Sequence, residues 1–184
     1  MKAILHVVDI PAAPKEVFPA LTTIDGLSDW WTTRVAGDEE EGGTVRFTFI
    51  PDMFNPEMRI DSMEEPTTLV WRCVGGADPW VGATIRFDLR EHETGTRLTF
   101  RQEYDQPLDD ESFGIYNFNW GYYLESLRLL CESGTGKPFR PNRPSRDVNT
   151  LAACRWRSTS ITWPVSLASI CLRTRRNGYG SSWA

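Results

Sequence analysis

The chain is 184 residues long, 40% hydrophobic and 24% charged, with a formal net charge of -5 from 20 Lys and Arg against 25 Asp and Glu. This balance excludes wholesale disorder and fits one globular domain that needs neither disulfides nor metal to bury a core. No apolar run approaches the roughly 18 residues of a membrane span, and an acidic body argues against a nucleic-acid surface.

Residues 2–10, KAILHVVDI, alternate weakly and read as a strand that Pro11 ends. The same apolar run is short and broken by Asp9, so it lacks a signal-peptide body and predicts a cytoplasmic location. Ala13-Pro14-Lys15-Glu16 opens a short helix, with Pro14 early, where its missing N–H costs little. Thr23 is placed to cap a second short helix, Asp25 to Trp31. An acidic turn, GDEEEGG, follows at 37–43.

Strand-like segments with period two come next: TVRFTF (44–49), EMRIDS (57–62), LVWRCV (69–74), ATIRFDLRE (83–91) and TRLTFRQEY (96–104). Turn chemistry separates them at Glu65-Pro66, at Gly75 to Pro79 and at Glu93-Thr94-Gly95. Short turns imply an antiparallel meander with one apolar and one wet face. Arg46, Arg59, Arg72, Arg86 and Arg101 share the polar phase with Asp61 and Asp88, which predicts a solvated ladder of cross-strand charge pairs.

The last element is a long helix from about Asp109 to Cys131. Phe113, Tyr116, Trp120, Leu124, Leu127 and Cys131 fall on one stripe, with Tyr123 and Leu130 widening it. Gly134 and Pro138 stop it. The ESGTGKP stretch at 132–138 is not a phosphate loop: Cys131 stands where the first Gly belongs and Pro138 where a Ser or Thr belongs.

After Pro144 the texture changes. Residues 144–184 hold six Arg and one acid and show no sustained period, whereas residues 1–143 carry 14 bases and 24 acids. The domain is therefore placed at 1–143. The segment 144–184 is expected to be a basic, disordered or non-native tail, its sharpest explanation being an out-of-frame end.

Cys73, Cys131, Cys154 and Cys171 show no paired spacing, and His6 and His92 are isolated. Reduced core thiols and structural histidines are expected, with no metal site. No recognisable triad of nucleophile, base and orienter exists, so an enzymatic role stays open without a catalytic residue. Asp29, Glu103, Tyr104 and Asp105 lie near element ends, where a carboxylate desolvated by aromatics would serve as acid or base.

The order of elements predicts an α+β architecture: a curved antiparallel sheet of six or seven strands wrapped on a long C-terminal helix, with two short helices after the first strand. Sheet and helix then enclose aromatic side chains, and cavities of this kind bind apolar ligands. The expected wall is Trp30 and Trp31 from the short helices and Phe47, Phe49, Met58, Trp71, Phe87 and Phe100 from the strands. Trp80 joins it from a turn, and Phe113, Trp120 and Leu124 from the long helix.

The segments IPAAPKEVFPALTTIDGLSDWWT, GGTVRFTF, LVWRC, WVGATIRFDL, GTRLTF and NWGYYLESLRLLCESGTGKPF together resemble the START-like, birch-pollen-allergen-like superfamily (SRPBCC). They are most similar to stand-alone bacterial relatives of the C-terminal domain of the activator of the ninety-kilodalton heat-shock chaperone's ATPase. The resemblance spans about residues 1–140. It implies a helix-grip fold with a hydrophobic cavity between sheet and helix, and no cofactor. Members bind lipids, hormones or polyketides, and some are cyclases. Three readings follow: a binder of a small hydrophobic or aromatic molecule, a cyclase-, aromatase- or hydrolase-type enzyme, and a chaperone-partner or self-associating module.

Overall fold

A computed structural model of the protein describes residues 3–50 and 53–141. The segment 144–184, expected to be a tail, lies outside the described residues. Strand β1 (Ala3–Ile10) leads into helices α1 (Pro14–Thr22) and α2 (Ile24–Trp30). Strands β2 (Val35–Gly37), β3 (Thr44–Phe47), β4 (Glu57–Glu64), β5 (Thr68–Gly75), β6 (Thr84–His92) and β7 (Gly95–Glu103) follow, and helix α3 (Asp110–Ser133) comes last. The strands form one antiparallel sheet in the order β1-β7-β6-β5-β4-β3-β2. Among the described residues no helix is long and apolar enough to cross a membrane.

Each helix begins and ends where its residues supply the missing hydrogen bonds. The Glu16 carboxylate accepts the Ala13 N–H at 2.9 Å at the start of α1. Thr23 Oγ1 accepts the Gly26 N–H at 3.0 Å and caps α2 as its position predicts. Asp109 Oδ1 accepts the Ser112 N–H at 2.8 Å and caps α3. Gly134 ends α3 at φ 73, a left-handed conformation that glycine adopts without strain.

Strand alternation decides which side chains meet α3. On β7, Leu98, Phe100 and Gln102 are buried, whereas Arg97, Arg101 and Glu103 are exposed. On β6, Ile85, Phe87 and Leu89 turn inward. From the other side α3 contributes Tyr116, Trp120, Tyr123, Leu124 and Leu127 to the same core. Burial of each large side chain stabilises the fold by about 1.5–3 kcal/mol.

Three details depart from the sequence pattern. Strand β2 was not anticipated, because three residues are too short to show a period. Strand β3 ends at Phe47, yet Phe49 remains fully buried beyond it. Strand β4 extends to Glu64 through a bulge: Ile60 opposes Trp71 and Ser62 opposes Val70, leaving Asp61 as the extra residue.

The outer face carries the expected charge ladder, but its pairs run along strands as well as across them. Arg59 stands opposite Arg72, and Arg86 opposite Arg101. Like charges in register repel. Each arginine therefore turns to an acid nearby. Arg59 and Arg72 share Asp61 at 2.7 and 2.9 Å, Arg86 meets Asp88 at 2.7 Å, and Arg101 meets Glu103 at 2.6 Å. Arg46 reaches across to Glu57 at 2.6 Å. These half-exposed pairs contribute roughly 0.2–1 kcal/mol each.

Candidate functional site

An aromatic assembly fills the space between sheet and α3. Trp31, just after α2, is its hub. Its ring stacks on Trp71 at 5.9 Å and 11° and on Trp30 at 5.8 Å and 13°. It also touches Phe47 at 4.3 Å and Trp120 at 5.1 Å. Trp80 stacks on Trp120 at 5.9 Å and 16° and meets Tyr116 edge-on at 5.7 Å.

Between these rings lies a cavity of about 10 Å³, bordered by Trp31, Trp80, Tyr116, Asn119, Trp120 and Tyr123. That volume holds about one water molecule. At this point the rings leave room for little more than that. Of the expected wall residues, Trp31, Trp80 and Trp120 border the cavity. Phe47, Phe49, Met58, Trp71, Phe87, Phe100 and Leu124 are buried but do not border it. Trp30 lies on the far side of Trp31, where its indole N–H donates to the Ala20 carbonyl at 2.8 Å. Phe113 is half-buried in the first turn of α3.

Two polar residues that the sequence reading passed over shape this centre. Gln102, on the inner face of β7, is fully buried. Its Oε1 accepts from the Trp120 indole N–H at 2.6 Å and from the Tyr104 hydroxyl at 2.8 Å. An indole N–H only donates, so the Gln102 oxygen must face Trp120. This pins the Trp120 ring and leaves Gln102 Nε2 with no hydrogen-bond partner among the described residues. Asn119 borders the cavity at 6% exposure, and its Nδ2 likewise has no partner. One clue was legible in each case: Gln102 continues the Leu98–Phe100 phase, and Asn119 precedes Trp120 in the helical stripe.

Burial governs the ionisable groups here. It pushes the Tyr116 hydroxyl up to about 12, helped by the negative charge of Asp109. It raises Tyr104 and Tyr123 well above the ordinary tyrosine value. Burial also pushes the thiols of Cys73 and Cys131 up to about 11, so both stay protonated at neutral pH and are poor nucleophiles. Of the suggested acid–base residues, Tyr104 is buried, whereas Asp29, Glu103 and Asp105 are exposed and lack the apolar surroundings that the idea required. His6 faces Phe100 across the inner sheet surface, and His92 sits by Thr94 at the β6–β7 turn. Among the described residues no group of three or more His, Cys, Asp or Glu is placed to hold a metal ion.

The family model described as Activator of Hsp90 ATPase homolog 1-like protein matches residues 11–132. The chain belongs to this family. A solved relative, the Aha1 dimer from Colwellia psychrerythraea, is 30% identical with a TM-score of 0.66, over 74% of this chain and 100% of that one. CalU16 from Micromonospora echinospora aligns with a TM-score of 0.58 at 19% identity, over 82% of this chain and 81% of that one. DynU16, a putative protein in the dynemicin biosynthetic locus, aligns at 0.62 and 19%, over 74% of this chain and 49% of that one. The last two likenesses show the fold alone. No curated protein matches the chain. The START-like, helix-grip architecture expected from the sequence is thus the architecture of this AHSA1-like chain. Function in such folds resides in the site.

Proposed function

We propose that the protein binds a small apolar or aromatic molecule between the sheet and α3, centred on Trp31, Trp80 and Trp120. The cavity at that point carries the reading, because it joins large apolar rings to one polar side chain, the Asn119 amide. Sites of this composition hold ligands by burial of apolar area, with a few polar groups fixing orientation.

A cavity of about one water requires a wall to move when a larger molecule binds. Trp80 supports that role. It sits in the loop between β5 and β6, whereas Tyr116, Asn119, Trp120 and Tyr123 are fixed on α3. The loop is bounded by Gly76 and Gly82, both at positive φ. A planar ligand taking the place of the Trp80 indole recovers the stacking on Trp120 that is lost. The residues behind the cavity wall, Trp71, Phe47 and Phe100 among them, hold these rings in place.

Native mass spectrometry of gently purified protein tests the reading. An added mass that disappears on denaturation is expected. Trp80→Leu should bind small neutral aromatics more tightly than the wild type, because less binding energy is spent on opening the stack. A bare mass in both proteins, with no uptake of added aromatics by Trp80→Leu, would contradict it.

A second reading concerns assembly. The Colwellia relative is described as a dimer. Here β1 is an edge strand with exposed Leu5 and Val7, and α3 exposes Phe118 and Tyr122 one helical turn apart. An open strand edge beside apolar side chains favours pairing with another copy. Sedimentation velocity should give twice the chain mass. A monomer at high concentration would end this reading.

A further inference from the structure

We propose that the side-chain carbonyl oxygen of Asn119 is the hydrogen-bond acceptor of the ligand site, and that the site therefore prefers neutral aromatic molecules bearing a hydroxyl or N–H donor. Phenols are the simplest members of this class. The inference rests on the binding reading above and narrows it.

Five of the six residues bordering the cavity are aromatic, and Asn119 is the sixth, with 6% of its surface exposed. Its two polar side-chain atoms differ. Nδ2 is sealed off, whereas Oδ1 stays accessible and accepts no hydrogen bond among the described residues. Aromatic surroundings favour this orientation, because a ring face attracts an N–H and repels a carbonyl oxygen. An oxygen that the protein leaves unbonded is ordinarily met by water or a ligand. The cavity beside it holds about one water molecule. In the free protein that water is expected to donate to Oδ1. In the complex the donor of the ligand displaces the water and takes over its bond. A ligand without a donor displaces the same water and leaves Oδ1 unmet, which costs affinity.

Charge then narrows the class. No carboxylate, lysine or arginine borders the cavity. The Tyr116 and Tyr123 hydroxyls stay protonated at neutral pH, since burial raises both. A charged ligand would be buried without a counter-charge, which costs far more than one hydrogen bond returns. An ammonium has donors, but its charge finds no carboxylate here. A phenolate has lost its donor, and its charge would face an acceptor. A neutral donor is left. Ring geometry supplies the shape: Trp80 and Trp120 lie within 16° of parallel, and Gln102 holds the Trp120 indole in that plane through a 2.6 Å bond. Asn119 precedes Trp120 in α3, and neighbours on a helix point about 100° apart, so the acceptor stands to the side of that indole. A flat ring stacked on Trp120 with a donor on its rim meets both demands.

The test compares two probes of nearly identical shape on the full chain: p-cresol carries a hydroxyl where p-xylene carries a methyl. Both are titrated into the wild type and Asn119→Leu while the tryptophan indole N–H resonances report affinity by NMR. Carbon-13 labelling of asparagine adds the Asn119 side-chain carbonyl resonance in the wild type. The ratio of cresol to xylene affinity should fall about tenfold from the wild type to Asn119→Leu, the equivalent of one neutral hydrogen bond. Taking the ratio cancels any effect of the leucine on the fit of the ring itself. Cresol, and not xylene, should move the Asn119 carbonyl carbon downfield, as an accepted hydrogen bond does. Should Asn119→Leu not fold, that wild-type resonance decides alone. An unchanged ratio, or a carbonyl carbon that responds alike to both probes, overturns the acceptor role and leaves the binding reading standing. Binding of xylene without cresol overturns it as well. Binding of neither probe overturns both.

Discussion

Replacing Trp31 by alanine is expected to remove about 3–5 kcal/mol of stability, the range for deleting a large aromatic from a packed core. A domain of this kind has about 5–15 kcal/mol in all, so the loss is a large share. The magnitude follows from position. Trp31 is 1% exposed and touches Trp30, Phe47, Phe49, Trp71 and Trp120 through their rings. These neighbours come from α2, β3, β5, α3 and the segment after β3, so they cannot all close on the vacated space. Urea denaturation should show a lower midpoint with little change in slope. A shift of less than about 1 kcal/mol would mean that the aromatic assembly is loosely packed, contrary to its geometry.

A second large effect is expected at alkaline pH. Tyr104, Tyr116 and Tyr123 are held neutral by burial, with folded values above the ordinary value of 10 and Tyr116 at about 12. Their contribution is fully present below pH 10. It is lost as pH rises from 10 toward each folded value, because the unfolded chain releases protons that the native state retains. Each such group costs about 1.4 kcal/mol per pH unit, so the three together remove about 4 kcal/mol per unit above pH 10. Cooperative unfolding between pH 11 and 12 is therefore expected. Phenolate absorbance should rise together with the loss of helical circular dichroism. A gradual phenolate titration with the fold intact at pH 12 would show that these hydroxyls reach water.

Most of the architecture was legible because it depends on local pattern. The alternation in ATIRFDLRE and TRLTFRQEY places Ile85, Phe87, Leu98 and Phe100 inside, and the structure agrees. Thr23, Asp109 and Gly134 mark helix ends by their own chemistry. Strand β2 escaped because its three residues join the sheet through pairing with β3, a contact that no local pattern records. The bulge at Asp61 escaped for a related reason: an extra residue is visible only against the partner strand.

The site was less legible than the fold. Sequence can assign Trp31, Trp71, Trp80 and Trp120 to the interior, but the space left between them depends on how the rings interlock. Trp30 and Trp31 are neighbours in sequence, yet Trp31 borders the cavity and Trp30 bonds to Ala20. Gln102 is the clearest omission. A glutamine in the core phase of a strand signals a buried partner, here the indole of Trp120, but naming that partner requires knowing that α3 crosses β7.

Direct evidence for the aromatic centre as a ligand site would come from crystals of the wild type grown with 4′-bromoacetophenone. Bromine scatters anomalously and marks its own position. The binding reading predicts a bromine peak inside the domain, with the attached ring against Trp120 and the Trp80 indole displaced. Bromine only on the surface, with Trp80 still stacked on Trp120, would contradict it and leave the indoles as a closed core.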